Sequence, residues 1–240
     1  MKNVLDSHTH TLASGHAYNT IYEMTHAAAQ KGLELLAITE HAMKMPGTCH
    51  EFYFMNLKVV PRTMCGIEVL FGVEANIMDY DGTLDMEQSL LEKMDVVIAS
   101  MHLPCLPCGT KEENTRAITK VMENPAVNII GHPDDSRYPL DYEAVVLAAK
   151  EHHVLLELNN SSLNPDNSRK DPLPNDIRML ELCRKYEVPI IINSDAHCAN
   201  DVGNHGFAEL LIKELNFPEH LIVNRSVEEY KKYVNRFKTV

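Results

Sequence analysis

The stretch that decides the fold of this protein is PIIINSDAH, residues 189–197. It joins a short apolar run, rich in β-branched residues, to a polar tail that ends in an aspartate and a histidine. A continuous apolar run of this kind is typical of a strand buried on both faces, as the strands of a parallel sheet are. The polar tail would then lie at the carboxyl end of that strand.

Six further apolar runs of the same kind occur along the 240 residues. The seven predicted strands are 4–5, 35–38, 69–73, 96–99, 127–130, 154–158 and 189–192. Amphipathic stretches between them predict helices at about 21–31, 112–123, 142–152 and 175–186. Alternating strands and helices with right-handed crossovers give a parallel sheet. We therefore predict an α/β fold, a single domain over residues 1–240 that forms a distorted, TIM-like seven-stranded (β/α) barrel. The alternative is a doubly wound open sheet.

The composition is that of a globular protein, with 45% hydrophobic and 23% charged residues. No apolar run reaches the roughly 18 residues of a membrane helix, and the N-terminus lacks the apolar core of a signal peptide. These features predict a cytoplasmic protein without a membrane partner, whose six cysteines are reduced. The net charge of −12 disfavours nucleic acid as a partner, because nucleic-acid binding relies on a basic face.

Imidazole and carboxylate groups stand at the carboxyl ends of six of the seven predicted strands. In a parallel barrel these ends open onto one face, where such folds place their active sites. The candidate metal ligands are His8, His10, His16, His41, Glu74, His102, His132, Asp195 and His197. Nitrogen and oxygen ligands without thiolates suit zinc, manganese or iron in an open site. The convergence therefore predicts a metal centre.

The other histidines are predicted to be ordinary surface or packing residues, with His205 left open. Two acids next to the candidate ligands, Asp6 and Glu40, are expected to fix the tautomers of ligand imidazoles. Four loop cations are candidates for steering an anionic substrate: Lys44, Arg62, Arg137 and Arg169.

Five motifs, taken in order, resemble those of the PHP (polymerase and histidinol phosphatase) superfamily. They are Asp6-Ser7-His8-Thr9-His10, Thr39-Glu40-His41, Gly72-Val73-Glu74, Gly131-His132-Pro133 and Asn193-Ser194-Asp195-Ala196-His197. Within the superfamily, the chain is most similar to the small stand-alone YcdX-type phosphatases, which implies a distorted seven-stranded barrel with three metal ions. The implied first site holds His8, His10, Glu74 and Asp195. The implied second site shares Glu74 with His102 and His132, and the third holds His16, His41 and His197.

Seven neutral imidazoles and two carboxylates leave three divalent ions with a formal charge of +4. Such a site suits a dianion, and we predict a hydrolase of phosphate monoesters whose nucleophile is a hydroxide that bridges two ions. Glu74, Asp195 and His197 are the candidate catalytic residues. The expected cofactors are three divalent ions, zinc first with manganese or iron as alternatives, and the expected substrate is a small phosphorylated metabolite.

Three other functions stay open at this point. One is a phosphodiesterase or exonuclease acting on nucleic acid, the second is a non-enzymatic metal-binding protein, and the third, a narrower one ranked below a general phosphatase, is a histidinol phosphatase. Assembly into a homo-oligomer is also left open by the sequence.

Overall fold

The computed structural model describes residues 2–237 and is built around a sheet of seven parallel strands in chain order. With one short antiparallel strand, β3, the sheet has eight strands: β1 (Leu5–Asp6), β2 (Leu35–His41), β3 (Thr63–Met64), β4 (Ile67–Asn76), β5 (Val97–Ser100), β6 (Ile129–Ile130), β7 (Leu155–Asn159) and β8 (Ile190–Asn193). All seven predicted strands are confirmed. The unpredicted one, β3, is a two-residue strand that pairs antiparallel with the start of β4. Thr63 and Met64 do not form an apolar run of the kind from which the other strands were predicted.

The sheet curls into a nearly closed barrel, so the predicted barrel is confirmed and the open sheet is wrong. Between β1 and β8, a parallel bridge joins Thr9 to Ala196. Below it the side chain of Asn224 spans the two strands. Its Oδ1 accepts a hydrogen bond from the Ile192 N–H (2.7 Å), while its Nδ2 donates to the carbonyls of Ile192 (2.6 Å) and Leu5 (3.2 Å). One amide thus satisfies backbone groups that a strand–strand ladder would otherwise pair.

Eight α-helices lie among the described residues. They are α1 (Ile21–Gln30), α2 (Glu51–Asn56), α3 (Gln88–Leu91), α4 (Lys111–Met122), α5 (Tyr142–His152), α6 (Pro172–Tyr186), α7 (Gly206–Glu214) and α8 (Val227–Lys231). The four predicted helices are confirmed as α1, α4, α5 and α6. Two of them begin with a capping box, in which Thr20 or Thr110 exchanges hydrogen bonds with the glutamate three residues later. The unpredicted helices have nine residues or fewer, too few for a clear helical period.

Successive side chains of each strand point alternately outward, towards the helices, and inward, into the barrel. Leu36 and Ile38 pack outward under the helices, whereas Leu35 and Ala37 belong to a separate cluster that Tyr230 and Val234 also join. Along the inward face of β7 and β8, apolar residues come first and polar residues follow at a spacing of two. The barrel is therefore filled with apolar side chains in its lower half and polar side chains at its carboxyl end. No helix within residues 2–237 is long and apolar enough to cross a membrane.

Candidate metal centre

The nine predicted ligands converge at the carboxyl end of the barrel. Four groups of three ligand atoms lie within 4.8 Å of one another: His8, His132 and Asp195; His8, His10 and Glu74; His41, Glu74 and His102; and His10, His41 and His197. The ninth residue, His16, joins them at the rim, with its Nε2 atom 3.1 Å from Nε2 of His197. Residues up to 189 positions apart in sequence are thus brought into a single cluster.

Glu74 lies at the centre of this cluster and is fully buried at the end of β4. Its Oε1 is 2.8 Å from His132 Nε2 and 3.1 Å from His102 Nε2. Its Oε2 is 2.6 Å from His41 Nδ1 and 3.4 Å from His8 Nε2. Burial raises the pKa of the Glu74 carboxyl, but the surrounding imidazoles hold it well below its usual value. The two oxygens of one carboxylate therefore serve two different sets of imidazoles.

Four buried polar atoms of the cluster make no hydrogen bond of acceptable geometry, although two of them, His41 Nδ1 and Glu74 Oε2, lie 2.6 Å apart: His8 Nε2, His10 Nε2, His41 Nδ1 and Glu74 Oε2. Buried polar atoms are nearly always paired, so a converging group of unpaired ones needs an explanation. The Nε2 atoms of His8 and His10 lie 3.3–3.6 Å from the nearest carboxylate oxygens of Glu74 and Asp195. Two ligands about 2.0–2.1 Å from a tetrahedral zinc ion would be about 3.3 Å apart. The donor set therefore fits divalent metal ions.

The ring nitrogens that face away from the cluster are paired with acceptors. His8 Nδ1 meets Glu157 Oε1 (2.8 Å), His10 Nδ1 meets Ser14 Oγ (2.9 Å), His102 Nδ1 meets Asn76 Oδ1 (2.7 Å), and His197 Nδ1 meets the Asp195 carbonyl (3.0 Å). An acceptor at Nδ1 holds the proton on that nitrogen and leaves the Nε2 lone pair free. In these four imidazoles the Nε2 atom is therefore free to bind a metal ion.

Of the two acids expected to fix imidazole tautomers, Glu40 fixes that of His10 indirectly, through the hydroxyl of Ser14. Ser14 Oγ donates to Glu40 Oε2 (2.6 Å) and so is left to accept from His10 Nδ1. The expectation for Asp6 is wrong, because its carboxylate touches no ligand ring. It accepts instead from the Ser194 N–H (3.2 Å), the Ser194 hydroxyl and the Gly203 N–H (2.8 Å). Asp6 therefore anchors the backbone next to Asp195.

The remaining histidines lie outside the cluster, as predicted. His205, which the sequence left open, is buried and hydrogen-bonded to Asn3, and its Nε2 is 3.9 Å from Asp6 Oδ1. His50 caps α2, and His153 ends α5 with a left-handed backbone and stacks on Tyr233. The six cysteines are free, as expected.

The sequence reasoning missed Glu157, which lies in β7, the one predicted strand to which no site residue was assigned. Its side chain is fully buried and contacts His8. The available signal was the glutamate within the otherwise apolar run 154–158. A charged residue in a strand buried on both faces is rare unless it is paired.

A cavity of about 560 Å³ opens above the cluster. His16, His41, His102, Asp195 and His197 line its floor, and Arg137 and Arg169 line its wall. Arg169 Nη2 lies 3.1 Å from Asp195 Oδ2, and Nη1 donates to Ser162 Oγ at 3.0 Å. Arg137 is held by both carboxylate oxygens of Asp135. Both arginines therefore carry fixed positive charge at the edge of the cluster.

The other two candidate cations do not face the cavity. Arg62 donates to Asp95 Oδ2 (2.6 Å) and to the Leu57 carbonyl (2.8 Å), so its role is structural. Lys44 is exposed and does not line the cavity. The expectation of substrate steering is therefore wrong for Arg62, whereas for Lys44 it stays a prediction.

Comparison with known proteins agrees with this arrangement. The sequence profile of the PHP domain matches residues 6–237. A relative from Clostridium novyi (strain NT), named "Probable phosphatase", is 45% identical over 98% of this chain and 95% of its own length. A "Probable phosphatase" from Caldicellulosiruptor saccharolyticus is 46% identical over 96% of this chain and 95% of its own length.

The fold also matches a crystal structure of histidinol phosphate phosphatase from Lactococcus lactis subsp. lactis, solved with zinc, L-histidinol and phosphate. The TM-score is 0.61 and the identity 19%, over 90% of this chain and 95% of the other. At this identity the match supports the barrel fold alone.

Proposed function

The chain belongs to the PHP domain family and is a phosphatase, and on this premise we propose that it hydrolyses phosphate monoesters of small metabolites with three divalent metal ions. The observation that carries the proposal is the convergence of nine imidazole and carboxylate side chains, among which His8 Nε2 and His10 Nε2 are buried without a hydrogen bond. Zinc suits this set of nitrogen and oxygen donors, and manganese or iron are the alternatives.

We infer the division of ligands that the resemblance to YcdX-type phosphatases implies. His8, His10, Glu74 and Asp195 would hold the first ion, because the imidazole Nε2 atoms face both carboxylates. Glu74 Oε1 would serve the second ion with His102 and His132. His16, His41 and His197 would hold the third ion at the cavity floor. Divalent ions in such a site lower the pKa of a bound water towards about 7 and neutralise phosphoryl oxygens.

The protein's own groups would orient the ester. Arg169 has one guanidinium nitrogen on Asp195 and another on Ser162, so its planar fork is fixed at the cavity wall. An arginine fixed in this way suits two oxygens of a phosphoryl group. Glu74, Asp195 and His197 are the proposed catalytic residues, because they would bind the metal ions next to which the phosphoryl group would react. The formal charge of +4 on the loaded cluster favours a dianionic monoester over a singly charged diester.

Two features weigh against a nucleic-acid substrate. The chain has a net charge of −12, whereas nucleic-acid binding relies on a basic face. A cavity of about 560 Å³ has the size of a small-molecule site. A phosphodiesterase or exonuclease therefore ranks second. The cytoplasmic location and the single domain over residues 1–240 stay predictions from the sequence.

Metal analysis together with paired substrates tests the proposal. The purified protein should contain about three divalent ions per chain by inductively coupled plasma mass spectrometry. It should hydrolyse p-nitrophenyl phosphate with a much larger kcat/KM than bis(p-nitrophenyl) phosphate. A preference for the diester would instead support the phosphodiesterase, and full metal loading without turnover on a broad panel of phosphate esters would support a non-enzymatic metal-binding role.

A further inference from the structure

Glu157 is a fully buried carboxylate that the proposed ligand set does not use. Its Oε1 accepts hydrogen bonds from His8 Nδ1 (2.8 Å) and Asn193 Nδ2 (2.8 Å). Its Oε2 accepts from the His132 N–H (2.8 Å) and Asn159 Nδ2 (3.0 Å). Four contacts at these distances use the full acceptor capacity of a buried carboxylate.

All four partners of Glu157 are donors, and each oxygen receives two of them. A glutamine at this position would present its NH₂ group to two donors in either orientation of the amide. The site therefore requires the acceptor-only chemistry of a carboxylate. Because the His8 Nδ1 atom donates to it, the single proton of the neutral His8 imidazole lies on Nδ1, and the Nε2 lone pair faces the metal cluster.

The contacts of Glu157 reach three ligands of two different ions. The His8 ring belongs to the proposed first site and His132 to the second. His132 has a φ of +29°, a backbone conformation that costs energy in a residue other than glycine, and its N–H is held by Glu157. Asn159 Nδ2 bridges from Glu157 to Asp195 Oδ2 at 3.3 Å. His8, His132 and Asp195 also form one of the compact groups of ligand atoms.

We propose that Glu157 is a positioning residue that ties the first and second metal sites together, so that both ions depend on one buried carboxylate. It fixes the His8 tautomer, holds the strained backbone of His132 and connects to Asp195 through Asn159. The proposed third site, His16, His41 and His197, has no hydrogen bond to it. This inference rests on the metal assignment of the proposed function.

Site-resolved metal affinity of Glu157→Gln tests the inference. The wild type and the variant are loaded with zinc, dialysed against a graded zinc chelator and analysed for metal content. Loss of an outer partner of a metal ligand typically weakens affinity about 10- to 100-fold. We expect that weakening for two of the three ions of Glu157→Gln, with the third ion retained at its wild-type affinity.

Asn128→Ala is the matched control. Asn128 is also a buried polar residue with several hydrogen bonds, to the Val97 N–H, the Tyr233 carbonyl and Asn235, but none of its partners is a proposed ligand. This variant should lose thermal stability and keep all three metal affinities. A merely structural role of Glu157 would give the same pattern as this control, and that result would overturn the inference.

A second measurement does not depend on a variant that folds. In nitrogen-15 NMR spectra of the zinc-loaded wild type, His8 should carry its proton on Nδ1, with a strongly downfield proton shift from its bond to a carboxylate. Zinc on Nε2 would itself place the proton on Nδ1, so the deciding signal is the proton shift: an Nδ1 proton without the downfield shift of a bond to a carboxylate would refute the role of Glu157. If the wild type binds fewer than three ions, the metal assignment fails instead, while the shift of the His8 Nδ1 proton still decides the role of Glu157.

Discussion

Glu74→Ala removes the one side chain that is assigned to two of the proposed metal sites. Its Oε1 is directed at His102 and His132, and its Oε2 at His8 and His41. Alanine leaves β4 intact because the backbone of Glu74 pairs with β2 and β5 without using the side chain. The effect should therefore be confined to the metal centre.

The ligand count gives the size of the effect. Without Glu74 the second ion keeps only His102 and His132, whereas zinc sites in proteins have three or four protein ligands. The first ion keeps His8, His10 and Asp195, and the third keeps all three of its imidazoles. We expect metal content at saturation to fall from about three ions to two. The metal contribution to transition-state stabilisation is several kcal/mol, so kcat should fall on the order of 10³-fold.

Metal content by mass spectrometry and kcat on p-nitrophenyl phosphate are measured on the same preparations. The control is Glu68→Ala, which removes a glutamate from the other end of β4, where it pairs with Lys231 at 2.9 Å. It should keep three ions and full activity. A Glu74→Ala protein that binds three ions with wild-type affinity would refute the central place assigned to Glu74.

Three further predictions concern the cavity wall, a buried acid and the barrel. Arg169→Met should raise KM for p-nitrophenyl phosphate about 10- to 100-fold, because a hydrogen bond to a charged group contributes about 1.5–3 kcal/mol; an unchanged KM would rule out Arg169 as a phosphate contact. Burial and the charge of Asp134 raise the pKa of the Asp176 carboxyl well above its usual value. Ionisation of this carboxyl therefore destabilises the folded state increasingly as the pH rises above the pKa that the group has in the unfolded chain. Asp176→Asn should therefore raise the melting temperature at pH 7–8 but not near pH 4, and a gain independent of pH would contradict this reasoning. Gly72→Ala would place a Cβ atom 2.0 Å from the Val96 carbonyl oxygen and should lower the free energy of unfolding in urea by about 1–3 kcal/mol or more; a variant as stable as the wild type would show that the β4–β5 contact can relax.

Much of the fold and the site could be predicted because the signals are local. An apolar run followed by an acid or imidazole marks a strand and its carboxyl end within a few residues, as in β8 and the Asp195 to His197 segment. Parallel topology then places all such ends on one face without further information. The convergence of the nine candidate ligands followed from these two steps.

The roles that were missed or wrong depend on contacts across the barrel. Asp6 is next to His8 in sequence, yet its partners are Ser194 and Gly203. Glu157 lies 149 residues from His8. Among the candidate arginines, sequence could not separate Arg169 at the cavity from Arg62, which is tied to Asp95.

The sequence by itself determined the seven strands, the face on which the candidate metal ligands lie and the chemistry of those side chains, because an apolar run that ends in polar residues is a local signal, independent of any distant partner. The tertiary structure alone decided which acceptor holds each imidazole, which arginine faces the cavity and how Asn224 joins β1 to β8. Those pairings are set by the curvature that brings the first and last strands together, and no local pattern encodes the partner of a side chain across a closed barrel.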